Sequence, residues 1–188
     1  MNKKSLLLAG VACVLCATNS FAGWSDMMHN TKYYVGADYA FGHYKHGGVL
    51  ENAKENYNSG TLNIGVRMDK VGLEAFNQMS GKRTKDMDAG RLKTRVNAYG
   101  LDMYAYQPLG CEGKYDLLGT IGLANYYYKG KIDGNSESKN RVGYRIGAGM
   151  MYNMTDHISA RIVGRFAYLG AKSLENAMEA TAGIRYNF

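Results

Sequence analysis

Met178-Glu179-Ala180-Thr181-Ala182-Gly183-Ile184-Arg185-Tyr186-Asn187-Phe188 is the stretch whose reading decides the fold. Met178, Ala180, Ala182, Ile184, Tyr186 and Phe188 alternate with Glu179, Thr181, Gly183, Arg185 and Asn187, so an extended chain here carries one apolar and one polar face. A soluble sheet uses the same alternation. What precedes the strand separates the two cases.

At the other end, Lys3 and Lys4 give a positive start, Leu6 to Ala17 form an uncharged apolar run, and Ser20-Phe21-Ala22 supplies a small-x-small cleavage site. The expectation is a signal peptide over 1–22, cut after Ala22, and a single domain over 23–188. The apolar run is shorter than the roughly 20 residues a spanning helix needs, and no comparable run follows it. Membrane insertion is therefore expected through strands. Cys13 and Cys16 sit in the leader, but Gly10-Val11-Ala12 and Cys13-Val14-Leu15 fit a lipidation box poorly.

The formal charge is +7 and falls to +5 when Lys3 and Lys4 leave. Beyond the leader one cysteine remains, Cys111, so paired disulfides cannot hold the fold. A closed ladder of strand hydrogen bonds would. The mean hydropathy of −0.35 agrees, because only alternate residues of a membrane strand need be apolar. Pro108 is the one proline, and proline is excluded from central strands.

Eight segments of suitable length read as strands, at 33–44, 59–68, 71–80, 94–106, 115–128, 142–152, 158–168 and 178–188. In the second, Leu62, Ile64, Val66 and Met68 oppose Thr61, Asn63, Gly65 and Arg67; in the sixth, Val142, Tyr144, Ile146, Ala148, Met150 and Tyr152 alternate with Gly143, Arg145, Gly147, Gly149 and Met151. The third is less regular, with Phe76 and Asn77 breaking its pattern. Connectors at 45–58, 81–92, 129–140 and 169–176 are rich in Gly, Asn, Lys and Glu, whereas 69–70 and 153–156 are tight turns. An even number of strands places both termini at one end, the periplasmic one, and the longer loops at the other. Tyr33, Tyr104, Tyr115, Tyr152, Tyr186 and Phe188 are expected in an inner aromatic girdle, and Phe41, Tyr127, Tyr144 and Tyr168 in an outer one.

On the Gly-rich strand Arg141 to Tyr152 and the ending Gly183-Ile184-Arg185-Tyr186-Asn187-Phe188, the chain resembles the small OmpA-like outer-membrane β-barrels, the OmpA transmembrane domain with the OmpX/Ail and opacity-protein groups. The resemblance covers the chain beyond the leader and implies an all-β, eight-stranded, antiparallel up-and-down barrel in the outer membrane of a Gram-negative bacterium. It also implies that Ile184, Tyr186 and Phe188 act as a C-terminal signature for the barrel-assembly machinery. It does not carry over the peptidoglycan anchoring of full-length OmpA, which belongs to a separate domain.

The polar face would hold Asp38, Glu74, Asp102 and Glu179 against Arg67, Arg145, Arg161, Arg165 and Arg185. Eight strands enclose room for side chains only, and unpaired charges there are costly. The expected arrangement is a packed ion-pair plug; a narrow gated channel is the competing one.

Enzymes that modify lipid A occur among barrels of this size. His157-Ile158-Ser159 matches the spacing of a deacylase His-x-Ser pair, but His157 opens a strand at the periplasmic end, and the nearest later carboxylate, Glu175, falls in an outer loop. His43 and His46 with Glu51 lie at the correct end, yet two histidines in a Gly-rich loop fall short of a metal or nucleophile site. Cys111 reads as a tolerated thiol in a turn, and Gly23 to Thr31, around Trp24, Met27 and Met28, as a lead-in. No cofactor, metal or nucleic-acid partner is expected. Lys82, Arg83, Lys85, Lys129, Lys131 and Lys139 place positive charge on the outer loops, suited to lipopolysaccharide phosphates or to an anionic host or surface ligand. The expectation is a monomeric, non-enzymatic barrel with a structural or adhesin-like role.

Overall fold

The computed structural model describes residues 31–45, 56–87, 90–110, 113–132, 135–171 and 174–188. The expectations placed on residues 1–30, His46, Glu51 and Cys111, and on the side chains of Lys85, Lys131, Lys139 and Glu175, lie outside the described residues. The strands are β1 (Thr31–Lys45), β2 (Asn56–Met68), β3 (Val71–Ser80), β4 (Arg83–Met87), β5 (Gly90–Leu109), β6 (Tyr115–Ile132), β7 (Asn135–Asn153), β8 (Ile158–Ala171) and β9 (Leu174–Asn187). Hydrogen bonding runs β3-β2-β1-β9-β8-β7-β6-β5, and β3 pairs back onto β5. The sheet is thus an eight-stranded, all-antiparallel closed barrel with one extra strand, β4, beside β5.

β4 continues β3. Met79 pairs with Asn97 and Arg83 with Thr94, so four steps on one strand answer three on the other, which is a one-residue bulge. Ser80 bridges the interruption, its Oγ accepting from the Val96 amide at 2.8 Å and its carbonyl from Arg95 Nε at 3.1 Å. The tight turn at Asp69 has φ 50°, which aspartate tolerates better than most residues.

The burial pattern is inverted relative to a water-soluble sheet. Leu62, Ile64, Leu101, Ile121, Ile146, Ile162 and Ile184 are exposed on the outer face, Ile162 at 67%, while Glu74, Asp102, Arg161 and Arg185 are buried inside at 2% or less. An apolar belt of that extent is stable only against lipid. Tyr33, Tyr115, Tyr152, Tyr186 and Phe188 stand outward near the termini, and Phe41, Tyr144 and Tyr168 outward toward the opposite end.

Three sequence expectations are corrected. Residues 81–92 and 129–140 are not simple loops: β5 to β7 run 18 to 20 residues, well past the roughly 10 a membrane strand requires. Hairpins in water need ladder bonds but no apolar face, so their polar composition hides them. Phe76 and Asn77 do not break the third strand; alternation is intact, with Phe76 inside and Asn77 outside. Tyr104 is not a girdle residue but is buried in the lumen, two residues from inward Asp102 and so on the same face.

Candidate functional site

The narrow lumen admits long charged side chains because glycine stands opposite them. Asp38 pairs in register with Gly183, Arg67 with Gly72, Glu74 with Gly65, Asp102 with Gly122 and Glu179 with Gly42. Arg145 pairs with Gly122, Arg161 with Gly183, Arg165 with Gly147 and Arg185 with Gly36. A Cβ added at Gly183 would collide with the Asp38 carboxylate and the Ala37 carbonyl, and one at Gly122 with the Asp102 carboxylate. The Gly-rich polar faces of these strands are therefore the vacant half of a large-against-small packing.

Glu74 is the hub. Its two oxygens accept from Arg161 (2.8 and 3.0 Å), Arg185 Nη2 (2.7 Å), Tyr34 OH (3.0 Å) and Tyr104 OH (3.3 Å). Arg161 also donates from Nε to Asp38 Oδ1 at 2.9 Å, and Asn63 Nδ2 donates to Asp38 Oδ2 at 2.8 Å. Arg185 donates to Tyr106 OH at 2.9 Å and stacks 4.3 Å above the Tyr34 ring. Charge-assisted bonds from several donors are what a buried carboxylate needs to stay ionised.

The neighbouring layer is looser. Arg145 Nε lies 3.3 Å from Asp102 and Nη2 3.8 Å from Glu179, while Arg165 Nε lies 3.6 Å from Asp102. Neither Asp102 oxygen has a partner with hydrogen-bond geometry. Arg145 packs instead 4.2 Å over the Phe76 ring, which is why that phenylalanine faces inward. Arg165 bonds Tyr104 OH and Thr181 Oγ1, and Tyr44 OH donates to Glu179 at 2.8 Å.

The lumen also contains a charge the sequence reading missed. Asp116 is buried and accepts from Arg67 Nη1 at 2.8 Å and Asn153 Nδ2 at 3.1 Å near the terminal end. It shares parity with inward Leu118 and Thr120, which was the available signal. With it, five carboxylates face five arginines. Apolar clusters flank these layers: Tyr44, Tyr57, Phe76, Tyr126, Tyr128 and Leu169 belong to one, and Tyr104, Tyr106, Leu118, Met151 and Val163 form the other.

The other candidates scatter. His157 stacks on Tyr186 at 5.8 Å with Nδ1 3.0 Å from the Asn187 carbonyl, while Ser159 Oγ accepts from Asn187 Nδ2 at 3.0 Å; both sit at the terminal end. His43 lies on the outer face with Nδ1 2.8 Å from Asn56 Oδ1. Among the described residues no three His, Cys, Asp or Glu side chains gather as a metal site. Lys82 and Lys129 are exposed and Arg83 half-buried, on the side away from the termini. Ile184, Tyr186 and Phe188 face outward on β9, where the Phe188 amide bonds the Tyr33 carbonyl at 2.9 Å.

An outward apolar belt, a sealed strand ladder and a charged interior define an outer-membrane barrel. Residues 6–188 match the family described as the outer membrane protein beta-barrel domain, and the chain belongs to it. No curated protein matches the sequence. Among solved structures it is similar to Neisserial surface protein A, at 15% identity over 83% of this chain and 97% of that one, with TM-score 0.64. It is also similar to Ail, the attachment invasion locus protein of Yersinia pestis, at 16% identity over 84% and 98%, with TM-score 0.61. Ail has also been crystallised with the heparin analogue sucrose octasulfate. OprG from Pseudomonas aeruginosa matches at 13% identity over 84% and 95%, with TM-score 0.56. At these identities the likeness speaks for the fold alone.

Proposed function

We propose that this outer-membrane barrel is a non-enzymatic surface protein whose lumen is a plug and whose working surface is the set of hairpins remote from the termini. The supporting observation is the occupancy of the interior. Glu74 alone takes bonds from Arg161, Arg185, Tyr34 and Tyr104, and apolar clusters flank the charged layers. A conducting path would have to break several charge-assisted bonds at once. The structural part of the role is to stand as a monomer among outer-membrane lipids and lipopolysaccharide after export and insertion by the barrel-assembly machinery.

The adhesin-like part rests on β5 to β7, which extend beyond the bilayer and carry cations. The crystal of Ail with a heparin analogue makes a sulfated polymer the first ligand class to test. Cells producing the protein should adhere to a heparin-coated surface more than cells lacking it, and replacing Lys82, Arg83, Lys129 and Lys139 with Gln should abolish the difference. Equal adhesion by both strains would reject the surface-interaction role. An altered lipid A acyl count on deleting the gene would favour an enzyme instead.

A further inference from the structure

His157 and Ser159 converge on one residue of β9, Asn187. The Asn187 amide donates to the His157 carbonyl at 2.7 Å, and Asn187 Nδ2 donates to that carbonyl at 3.4 Å and to Ser159 Oγ at 3.0 Å. His157 Nδ1 lies 3.0 Å from the Asn187 carbonyl. A carbonyl only accepts, so this ring nitrogen carries the proton. On the outward side the imidazole stacks on Tyr186, with ring centroids 5.8 Å apart and planes 18° from parallel. Ser159 is buried on the inward side, so the end of β9 is held from both faces of the sheet.

The turn that carries these groups is closed on itself. Thr155 Oγ1 accepts from the Ile158 amide at 2.9 Å and the His157 amide at 3.3 Å, and the Ile158 carbonyl accepts from the amides of Met154 and Thr155 at 2.9 and 3.1 Å. A hydroxyl bonding its own backbone in this way fixes a turn without help from the lumen.

β9 needs such a fixture. A two-residue slip against β8 would leave every side chain on its own face, so the alternation of apolar and polar residues does not resist it. Small residues weaken the side-chain contacts across the pair: Gly164 stands opposite Ala180, Ala167 opposite Ala177, Ile162 opposite Ala182 and Arg161 opposite Gly183. At the far end of the hairpin Tyr168 pairs with Asn176 but Ala171 with Leu174, an offset of one residue. Arg165 reaches Thr181 on β9, at the end of a long side chain that can follow a displaced partner. Arg185 bonds Glu74, 111 residues away, and meets it only once the ring is closed. Asn187 is 30 residues from His157 and meets it as soon as β8 and β9 pair.

We propose that His157, Ser159 and Asn187 form a latch that selects the register of β9 on β8 before β1 completes the ring, with His157 and Ser159 as positioning residues. Once latched, Asn187 lies opposite Tyr34 and the Phe188 amide reaches the Tyr33 carbonyl at 2.9 Å, so the seam with β1 inherits the register. The lumen charges of β9 inherit it too, since a two-residue slip carries Arg185 roughly 7 Å along the strand.

The test traps the register by disulfides in barrels extracted from outer membranes into detergent and then oxidised, all carrying Cys111→Ser. Ile162→Cys with Ala182→Cys joins the native register, while Ile162→Cys with Ala180→Cys or with Ile184→Cys joins the two slipped ones. All four positions face outward, which leaves the lumen untouched. With the latch intact only the native pair should close, because slipped partners lie too far apart. Asn187→Ala combined with His157→Phe, which keeps an aromatic ring against Tyr186, should raise the slipped crosslinks about tenfold. Arg145→Ala weakens the plug without touching the latch; it should lower the unfolding temperature and leave the slipped crosslinks at the wild-type level.

Should the combined variant fail to assemble, Ser159→Ala and His157→Phe singly, each raising the slipped crosslinks about threefold, decide the matter. Slipped crosslinks at the wild-type level in the folded latch variants overturn the proposal even where unfolding temperatures fall, since the contacts would then add stability and no choice of register. A rise equally large in Arg145→Ala overturns it as well, because any weakened barrel would slip.

Discussion

Arg161 and Arg145 are both buried arginines, yet their surroundings differ enough to order their contributions. Arg161 holds Asp38 and Glu74 with hydrogen bonds of 2.5 to 3.0 Å, while Arg145 approaches Asp102 and Glu179 at 3.3 and 3.8 Å. Removing Arg161 leaves buried Asp38 with Asn63 alone among the described residues and takes from Glu74 one of its two arginines, so Arg161→Ala should destabilise the refolded barrel by about 4 kcal/mol in a urea titration. Arg145→Ala should destabilise it by about 2 to 3 kcal/mol, and Arg83→Ala, outside the plug, by well under 1 kcal/mol. Equal values for Arg161 and Arg145 would mean that the tight and loose layers do not differ energetically. Gly183→Ala drives a methyl group into Asp38 and the Ala37 carbonyl and should destabilise by about 2 kcal/mol, although alanine is the more rigid residue in the unfolded chain. Unchanged stability there would show that the carboxylate has room to shift.

The strands differ in how openly their sequences declare them. β9 and the core of β7 alternate without a fault, because small or charged residues face in and aliphatic ones face out. β3 conceals its register, since a lumen aromatic such as Phe76 is indistinguishable in sequence from a lipid-facing one until Arg145 is seen over its ring. The outer halves of β5, β6 and β7 are hidden for a different reason: two polar faces in water leave no period to detect. β9 also closes the barrel against β1, with Tyr34 opposite Asn187 and the Phe188 amide on the Tyr33 carbonyl. The Phe188 ring itself is 69% exposed and makes an edge contact with Tyr186. Its deletion should therefore lower the amount of barrel assembled in cells while leaving stability after refolding in detergent nearly unchanged. A large loss in the refolded protein would assign the ring a packing role instead of one in assembly.

As a closed ladder the molecule has no edge from which detergent can unzip it. It should give an almost wholly β circular-dichroism spectrum and migrate differently on a gel before and after boiling; identical migration would count against closure. Planar-bilayer recordings should show little conductance, and large steady steps would transfer the lead to a channel. Period-two alternation in eight segments, a scarcity of proline and the Gly-rich polar faces already specified an all-β membrane barrel, because lipid outside and a narrow interior leave few options for each position. Strand parity overlooked Asp116 and set Tyr104 in a girdle, whereas both are buried inside. Which arginine meets which carboxylate was not legible. Asp38 and Arg161 are 123 residues apart and Glu74 and Arg185 are 111 apart, and only closure of the ring brings such side chains across the lumen. The register of β5 on β6, which sets Arg95 opposite Lys129, became visible in the same way, since a charge pattern along one strand acquires its meaning from the register of the next.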